Sequence, residues 1–287
     1  MTAAAAFAAA LDRAQRTTTP ITNLAPDAAI GLGTAYAAQH ALIARRLARG
    51  ERVTGVKLGF TSRAKAAQMG VDDVIIGTLT DAMRIEDGGT FDVRSAIHPR
   101  IEPEVAYLLG VDLDPLDDGP ADPATADLLA AIAAVAPALE VIDSRYRDFR
   151  FSLDDVVADN ASAAAYAIGP WRRPAEAGPL GNRAVRLELD GRLAQTGSTS
   201  AILGDPARAV AAARRLARLH GFVLPAGSVL LAGAATAAVP LAGHSLAEAT
   251  VAGLGHASLR VAAGPTGSAD PAGSADPTDP DRTETRS

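Results

Sequence analysis

At 287 residues, with 48 % hydrophobic and 21 % charged content, the chain holds enough apolar mass for one large folded unit and is not a disordered polymer. A formal charge of −6 and 4 % aromatic content exclude the basic, base-stacking surface that a nucleic acid demands. There is no cysteine, which rules out disulfides, zinc–thiolate sites and thiol nucleophiles.

The opening run MTAAAAFAAALDRAQR has neither the basic region nor the cleavage pattern of an export signal. It reads as a helix, and the cytoplasm is the expected setting. A second helix is expected in AYAAQHALIARRLARG, where Tyr36, Ala37, His40, Ala41, Ile43 and Leu47 share roughly one face before Gly50 stops it. From Val53 the pattern shortens to the extended pieces VTGVKLGF and VIIGTLT, punctuated by glycines. Residues 100–109 alternate, with Ile101, Pro103 and Val105 on one face. A helix is expected over 123–135, then a strand in ALEVIDSRY after Pro137. The apolar run 128–139 is too short to span a bilayer, so no membrane is expected as a partner.

Asp205-Pro206 opens a further helix that Gly221 closes, with Val210, Leu216 and Leu219 on its inner side. PAGSVLLAG and HASLRV follow as strands. The acidic stretch 264–287 contains GSADP twice and little that is apolar, so it is expected to be disordered. Many short strands with segregated helices define an α+β class. The expected division is a helical and extended region over 1–90, a mixed β-roll catalytic domain over 91–263, and the tail.

The sharpest chemical feature is HPRIEPEVAYLL. In a strand, Glu102 and Glu104 point to one face about 7 Å apart, where two carboxylates repel unless a cation lies between them. Oxygen ligands suit Mg²⁺ or Mn²⁺, and Glu140, set between the apolar Leu139 and Val141, is the natural third ligand. The competing explanation for the pair is a solvent-facing strand edge. The chain has 25 arginines and only two lysines, Lys57 and Lys65. Burial of Lys57 in its apolar strand would lower its pKa towards that of a working base, whereas a snorkelling lysine is the commoner fate. Lys65 reads as an exposed helix residue. Asp159, Asn160 and Ser162 cluster in the apolar VVADNASAAAY, either to bind a carboxylate or to cap a turn. His98, before Pro99, reads as structural, and the histidines show no metal-ligand spacing.

The blocks GVKLGFTSRAKAAQMGV, GTLTDAM, DGG, IHPRIEPEVAYLL, PALEVIDSRYRDFRF, VVADNASAA and AGAATAAVP stand in this order over most of the chain. Together they resemble the hydratase/decarboxylase branch of the fumarylacetoacetate hydrolase superfamily. AQMGV, IHP, VIDSRY and TAAVP are most similar to the branch members that decarboxylate 4-oxalocrotonate (2-oxo-3-hexenedioate). The resemblance implies a helical N-terminal region on a mixed β-sandwich roll, and Mg²⁺ (or Mn²⁺) held by Glu102, Glu104 and Glu140. It implies catalytic roles for Lys57, Asp81 and Ser162, with Asp81 setting the state of Lys57, and substrate contacts from Asn160 and Thr236. The implied reaction is metal-dependent loss of CO₂ from a small 2-oxo dicarboxylate in meta-cleavage aromatic catabolism. A homo-oligomer is implied, with a sister hydratase as a further partner. Three alternatives stay open: a 2-oxopent-4-enoate hydratase, an acylpyruvate hydrolase of the same superfamily, and a non-catalytic partner subunit of a hydratase complex. Ala164 and Ala165 depart from the branch, whose members often carry arginine there.

Overall fold

The computed structural model describes residues 2–24, 29–62, 73–113 and 128–262. Lys65, residues 123–127 of the expected 123–135 helix and the acidic tail lie outside the described residues. Two helices begin the chain, α1 (Ala3–Arg16) and α2 (Leu32–Leu47). Thr2 caps α1 by accepting the amide of Ala5 at 3.3 Å, which satisfies one of the helix's unpaired donors. The strands β1 (Val53–Gly59), β2 (Ile75–Thr80), β3 (Arg84–Ile85), β4 (Thr90–Asp92), β5 (Arg100–Leu109) and β6 (Ile132–Ile142) follow. Next come α3 (Leu153–Ala158), β7 (Ala163–Ile168), the single turn α4 (Pro174–Ala177), β8 (Ala184–Leu189) and β9 (Arg192–Ser198). The chain then forms α5 (Arg208–His220), β10 (Val229–Ala234), β11 (Val239–Pro240), β12 (Leu246–Val251) and β13 (Gly255–Ala262).

Eight strands form a curled mixed sheet in the order β2-β1-β10-β5-β6-β7-β3, with β11 added to β5. Five form a second sheet, β4-β13-β12-β8-β9. This is the α+β roll expected from the sequence. β1 runs parallel to β10, with Lys57 beside Leu231, so early and late segments share one sheet.

The convex face of the curl is covered twice. Leu11, Ala35, Leu42, Val210 and Leu216 of the helices pack with Val56, Ile76, Val105 and Leu230. Further along, Ile101, Leu139 and Val141 pack against Leu187, Ala249 and Leu259 of the second sheet. Even-numbered residues of β5 and β6 face the concave side, where Ala106, Ala136 and Ala138 join Leu79, Met83, Leu231 and Ile168 in a separate apolar lining. Tyr166 reaches across this space, its hydroxyl 2.9 Å from Thr54 Oγ1 on β1.

Three expectations need correction. Ile132–Val135 opens β6 and is not the end of a helix, and the strand runs straight through Pro137. Proline is tolerated there because its carbonyl, and hence its missing N–H, faces beyond the end of β7, where Gly169 donates to Pro137 O at 2.9 Å. Leu219 is 66 % exposed: nine residues from Val210 is two and a half helical turns, which carries it to the outer side. In α2, Ala37, His40 and Leu47 face outwards, while Gln39 and Arg46 are buried. Gln39 Nε2 donates to the carbonyls of Ile76 (3.0 Å) and Val157 (2.8 Å), so a polar side chain earns its place inside by serving backbone acceptors. No helix among the described residues is long and apolar enough to cross a membrane.

Candidate active site

The concave face of β5 carries Glu102 and Glu104, and the ladder sets Glu140 of β6 directly opposite Glu102. The three carboxylates are buried, and one oxygen from each lies within 4.8 Å of the others. Gly233 N donates to Glu104 Oε2 at 2.8 Å, whereas Glu104 Oε1 and Glu140 Oε1 have no hydrogen-bond partner among the described residues. Burial first, and then the neighbouring carboxylates, push Glu104 well above the ordinary carboxylate range, and burial likewise raises Glu140. A dry cluster of three carboxylates is therefore poorly matched to its own charge, and orphaned oxygens aimed at a common point suit a hard divalent cation. The donor set fits the expected metal.

Lys57 completes the cluster. Its ammonium lies 3.0 Å from Glu140 Oε2 and donates to the carbonyl of Ala161 at 3.1 Å. Burial alone lowers its pKa, as the sequence led us to expect, but Glu140, Glu102 and Glu104 together outweigh burial and raise it. The buried lysine is a cation, not a neutral base.

Ser162 stands one residue beyond that carbonyl, buried, with an Oγ that has no hydrogen-bond partner among the described residues. Thr236 lies in the loop between Ala234, which pairs with Glu104, and Val239, which pairs with Ile101. It thus passes the level of Glu102, with its hydroxyl turned to the Ala237 carbonyl at 3.1 Å.

Two expected site residues are elsewhere engaged. Asp81 lies four residues beyond Gly77, the partner of Lys57 in β2, about 13 Å along the chain. Its carboxylate accepts from Arg52 N (2.9 Å) and Arg52 Nε (3.1 Å), so it does not set the state of Lys57. Asn160 is tied to Thr78 by both ends of its amide: Oδ1 accepts from Thr78 N at 2.7 Å, and Nδ2 donates to Thr78 O at 2.9 Å, which holds the side chain against β2.

Sequence reasoning missed the Gly233 amide and the Ala161 carbonyl, which are backbone groups without a side-chain signature. The glycine inside the apolar VLLAGA was the available signal, since a strand glycine marks close approach; a Cβ there would fall 2.1 Å from Thr61 Oγ1. Also missed was buried Arg145, whose guanidinium holds Asp159 and the carbonyls of Asp143 and Asp159. Burial pushes Asp159 up to about 7 against the pull of Arg145.

The fumarylacetoacetate (FAA) hydrolase C-terminal family matches residues 30–262. The chain belongs to the fumarylacetoacetate hydrolase family. Within that family it is 51 % identical over 219 residues to a 4-oxalocrotonate decarboxylase of Pseudomonas sp., covering 76 % of this chain and 82 % of that one. It is 34 % identical over 250 residues to a 2-hydroxyhexa-2,4-dienoate hydratase of Comamonas testosteroni, covering 86 % and 92 %. The solved 4-oxalocrotonate decarboxylase from Pseudomonas putida G7, complexed with magnesium and adipate, superposes with a TM-score of 0.83 at 35 % identity. That match covers 90 % of this chain and 97 % of the other. Decarboxylase and hydratase relatives alike are lyases.

Proposed function

We propose that this protein is a carboxy-lyase that converts 2-oxo-3-hexenedioate (4-oxalocrotonate) to 2-hydroxypenta-2,4-dienoate and CO₂ with Mg²⁺ or Mn²⁺. The observation that carries the reading is the buried trio Glu102, Glu104 and Glu140 with Lys57 at its side, in a chain far more similar to a decarboxylase than to the hydratases. The adipate bound by the Pseudomonas putida G7 enzyme is a six-carbon dicarboxylate, the same length as the proposed substrate.

In this reaction the C5–C6 bond breaks and CO₂ departs. The electron pair left behind forms C4=C5, the C3=C4 bond shifts to C2=C3, and the charge arrives on the C2 oxygen. A cation held by Glu102, Glu104 and Glu140 would supply Lewis-acid stabilisation of that oxygen. Lys57, 3.0 Å from Glu140, faces the same point and in its ammonium form would deliver a proton to the oxygen, yielding the dienol. The hydroxyl of Ser162, which has no partner among the described residues, donates to a substrate carboxylate. Leu79, Met83, Leu231 and Ile168 line the apolar interior and exclude water from the departing carboxylate, whose charge is then lost more readily. The same reading has the protein working in the cytoplasm as a closed homo-oligomer, with a sister hydratase as its partner.

One assay tests the reaction. The protein and Mg²⁺ are incubated with 2-oxo-3-hexenedioate and, separately, with 2-hydroxypenta-2,4-dienoate. Release of CO₂ from the first is the expected result. Consumption of the second alone would make the protein a hydratase, and inertness towards both would make it a partner subunit.

A further inference from the structure

Among the described residues the curled sheet does not close on itself through a ladder: β2 lies at one end of the strand order and β7 near the other, with no register of paired residues between them. Asn160 bridges the gap. Its side-chain amide meets the N–H and C=O of Thr78 as a neighbouring strand residue would, at 2.7 and 2.9 Å. The backbone that carries this amide is unusual. Asn160, Ala161 and Ser162 have φ of 53°, 51° and 58°, three consecutive non-glycine residues in a left-handed conformation that side chains disfavour. Such a turn persists only where its surroundings fix it.

The surroundings do fix it, from several sides. Gly77 of β2 sits against the turn so closely that a Cβ would lie 2.8 Å from the Asn160 carbonyl oxygen and 3.2 Å from Ala161 Cβ. Asp143 N donates to Ser162 O at 2.9 Å. The turn in turn fixes the site: the Ala161 carbonyl accepts from Lys57 Nζ at 3.1 Å, and Gly77 is the cross-strand partner of Lys57.

We propose that Asn160 is a positioning residue: by closing the β2–β7 seam it holds the left-handed turn that aims Lys57 and Ser162 into the glutamate cluster. Gly77 serves the same end by leaving room for the turn. The assignment deepens the catalytic reading of this site and rests on Lys57 taking part in it. Without the amide, the turn relaxes towards right-handed backbone and the Ala161 carbonyl swings away from Lys57. The glutamates, which stand on β5 and β6, keep their places.

The chain has only two lysines, so full-length protein labelled with ¹³Cε,¹⁵Nζ-lysine gives two side-chain signals, and Lys57→Arg assigns them. The signals are compared in wild type, Asn160→Ala and Gly77→Ala, without metal and with Mg²⁺, beside kcat and calorimetric Mg²⁺ affinity. Both variants are expected to move the Lys57 signal and leave that of Lys65 in place. They should lower kcat on the order of 10–100-fold with Mg²⁺ affinity within about threefold of wild type, the pattern of a misplaced group and not of a lost ligand. An unmoved Lys57 signal with normal kcat per folded molecule would overturn the proposal and leave Asn160 a mere structural tie, whatever its melting temperature. So would a moved signal with unchanged kcat, or a loss of kcat that tracks lost Mg²⁺ binding. Should Asn160→Ala not fold, Gly77→Ala decides, because it removes no hydrogen bond. Should wild type turn over neither substrate, the decarboxylase reading fails on its own, and the lysine signals still report whether Asn160 positions Lys57.

Discussion

Lys57 and the three glutamates illustrate how burial changes what a charged residue can do. A lone buried lysine would lose its proton, but this one has a carboxylate at 3.0 Å and two more close by, and it stays charged. Arginine would keep the charge yet could not cycle a proton, so Lys57→Arg separates fixed charge from proton transfer. A loss in kcat on the order of 10²-fold or more is expected by steady-state assay, with metal affinity near wild type. Glu104→Gln tests the other half of the cluster. Replacing a charged ligand with an amide should weaken Mg²⁺ by at least the roughly 10–100-fold that loss of an outer partner costs, read by calorimetric titration, and activity should fall to background. At this scale the sequence was informative wherever a side chain spoke for itself. The E-x-E spacing with Glu140, and the isolated Lys57, were visible. The Ala161 carbonyl and Gly233 amide were not, because any residue supplies those atoms. The partners that engage Asp81 and Asn160 in space, Arg52 and the Thr78 backbone, could not be inferred from spacing.

Elements were legible where one periodicity ruled. β5 and α5 carry clear patterns, and Gly221, at φ 76°, ends α5 where the sequence said it would. β6 was half hidden, since its alanine-rich first part fits a helix equally well and Pro137 looks like a boundary. The link from β6 into α3 hangs on a buried pair, Arg145 with Asp159, that no local pattern announces. Asp159→Asn leaves that guanidinium without a counter-charge and should destabilise the fold by about 3–5 kcal/mol, measured by denaturant unfolding. The packing of α2 on α5 carries a pH dependence of its own. His220 stacks on Tyr36 with ring centroids 3.6 Å apart, and burial, then His40, lowers its pKa. The unfolded chain therefore takes up this proton first as pH falls, so stability drops as pH passes below the ordinary imidazole value of about 6.5. His220→Phe keeps a ring against Tyr36 and should flatten that part of the stability–pH curve in thermal melts.

For the molecule as a whole, the interior cluster implies that metal and fold are coupled. Three buried carboxylates with one lysine are strained by mutual repulsion, and a ligand that binds only the folded state adds to stability by mass action. At a Mg²⁺ concentration about 100 times its Kd the gain should be roughly 2.7 kcal/mol. Scanning calorimetry should show Tm rising with Mg²⁺ and falling with EDTA, and the increment should vanish in Glu104→Gln. The α+β class was legible from composition and strand spacing. The curl that turns β5, β6, β1 and β10 towards one centre was not, because it depends on pairings between residues far apart in the chain.

The parallel pairing of β1 with β10 also sets a schedule for synthesis. Residues 57 and 231 are cross-strand neighbours, yet 174 positions separate them. At a translation rate of about 5–20 residues per second, β10 leaves the ribosome some 10–35 s after β1. Through that interval β1 has β2 for company on one side and an open edge on the other. Glu104 likewise waits for the Gly233 amide, which emerges later still. The charged interior is thus among the last features to be assembled, and a nascent chain stalled before residue 229 should remain sensitive to protease within β1 while α1 and α2 are already protected.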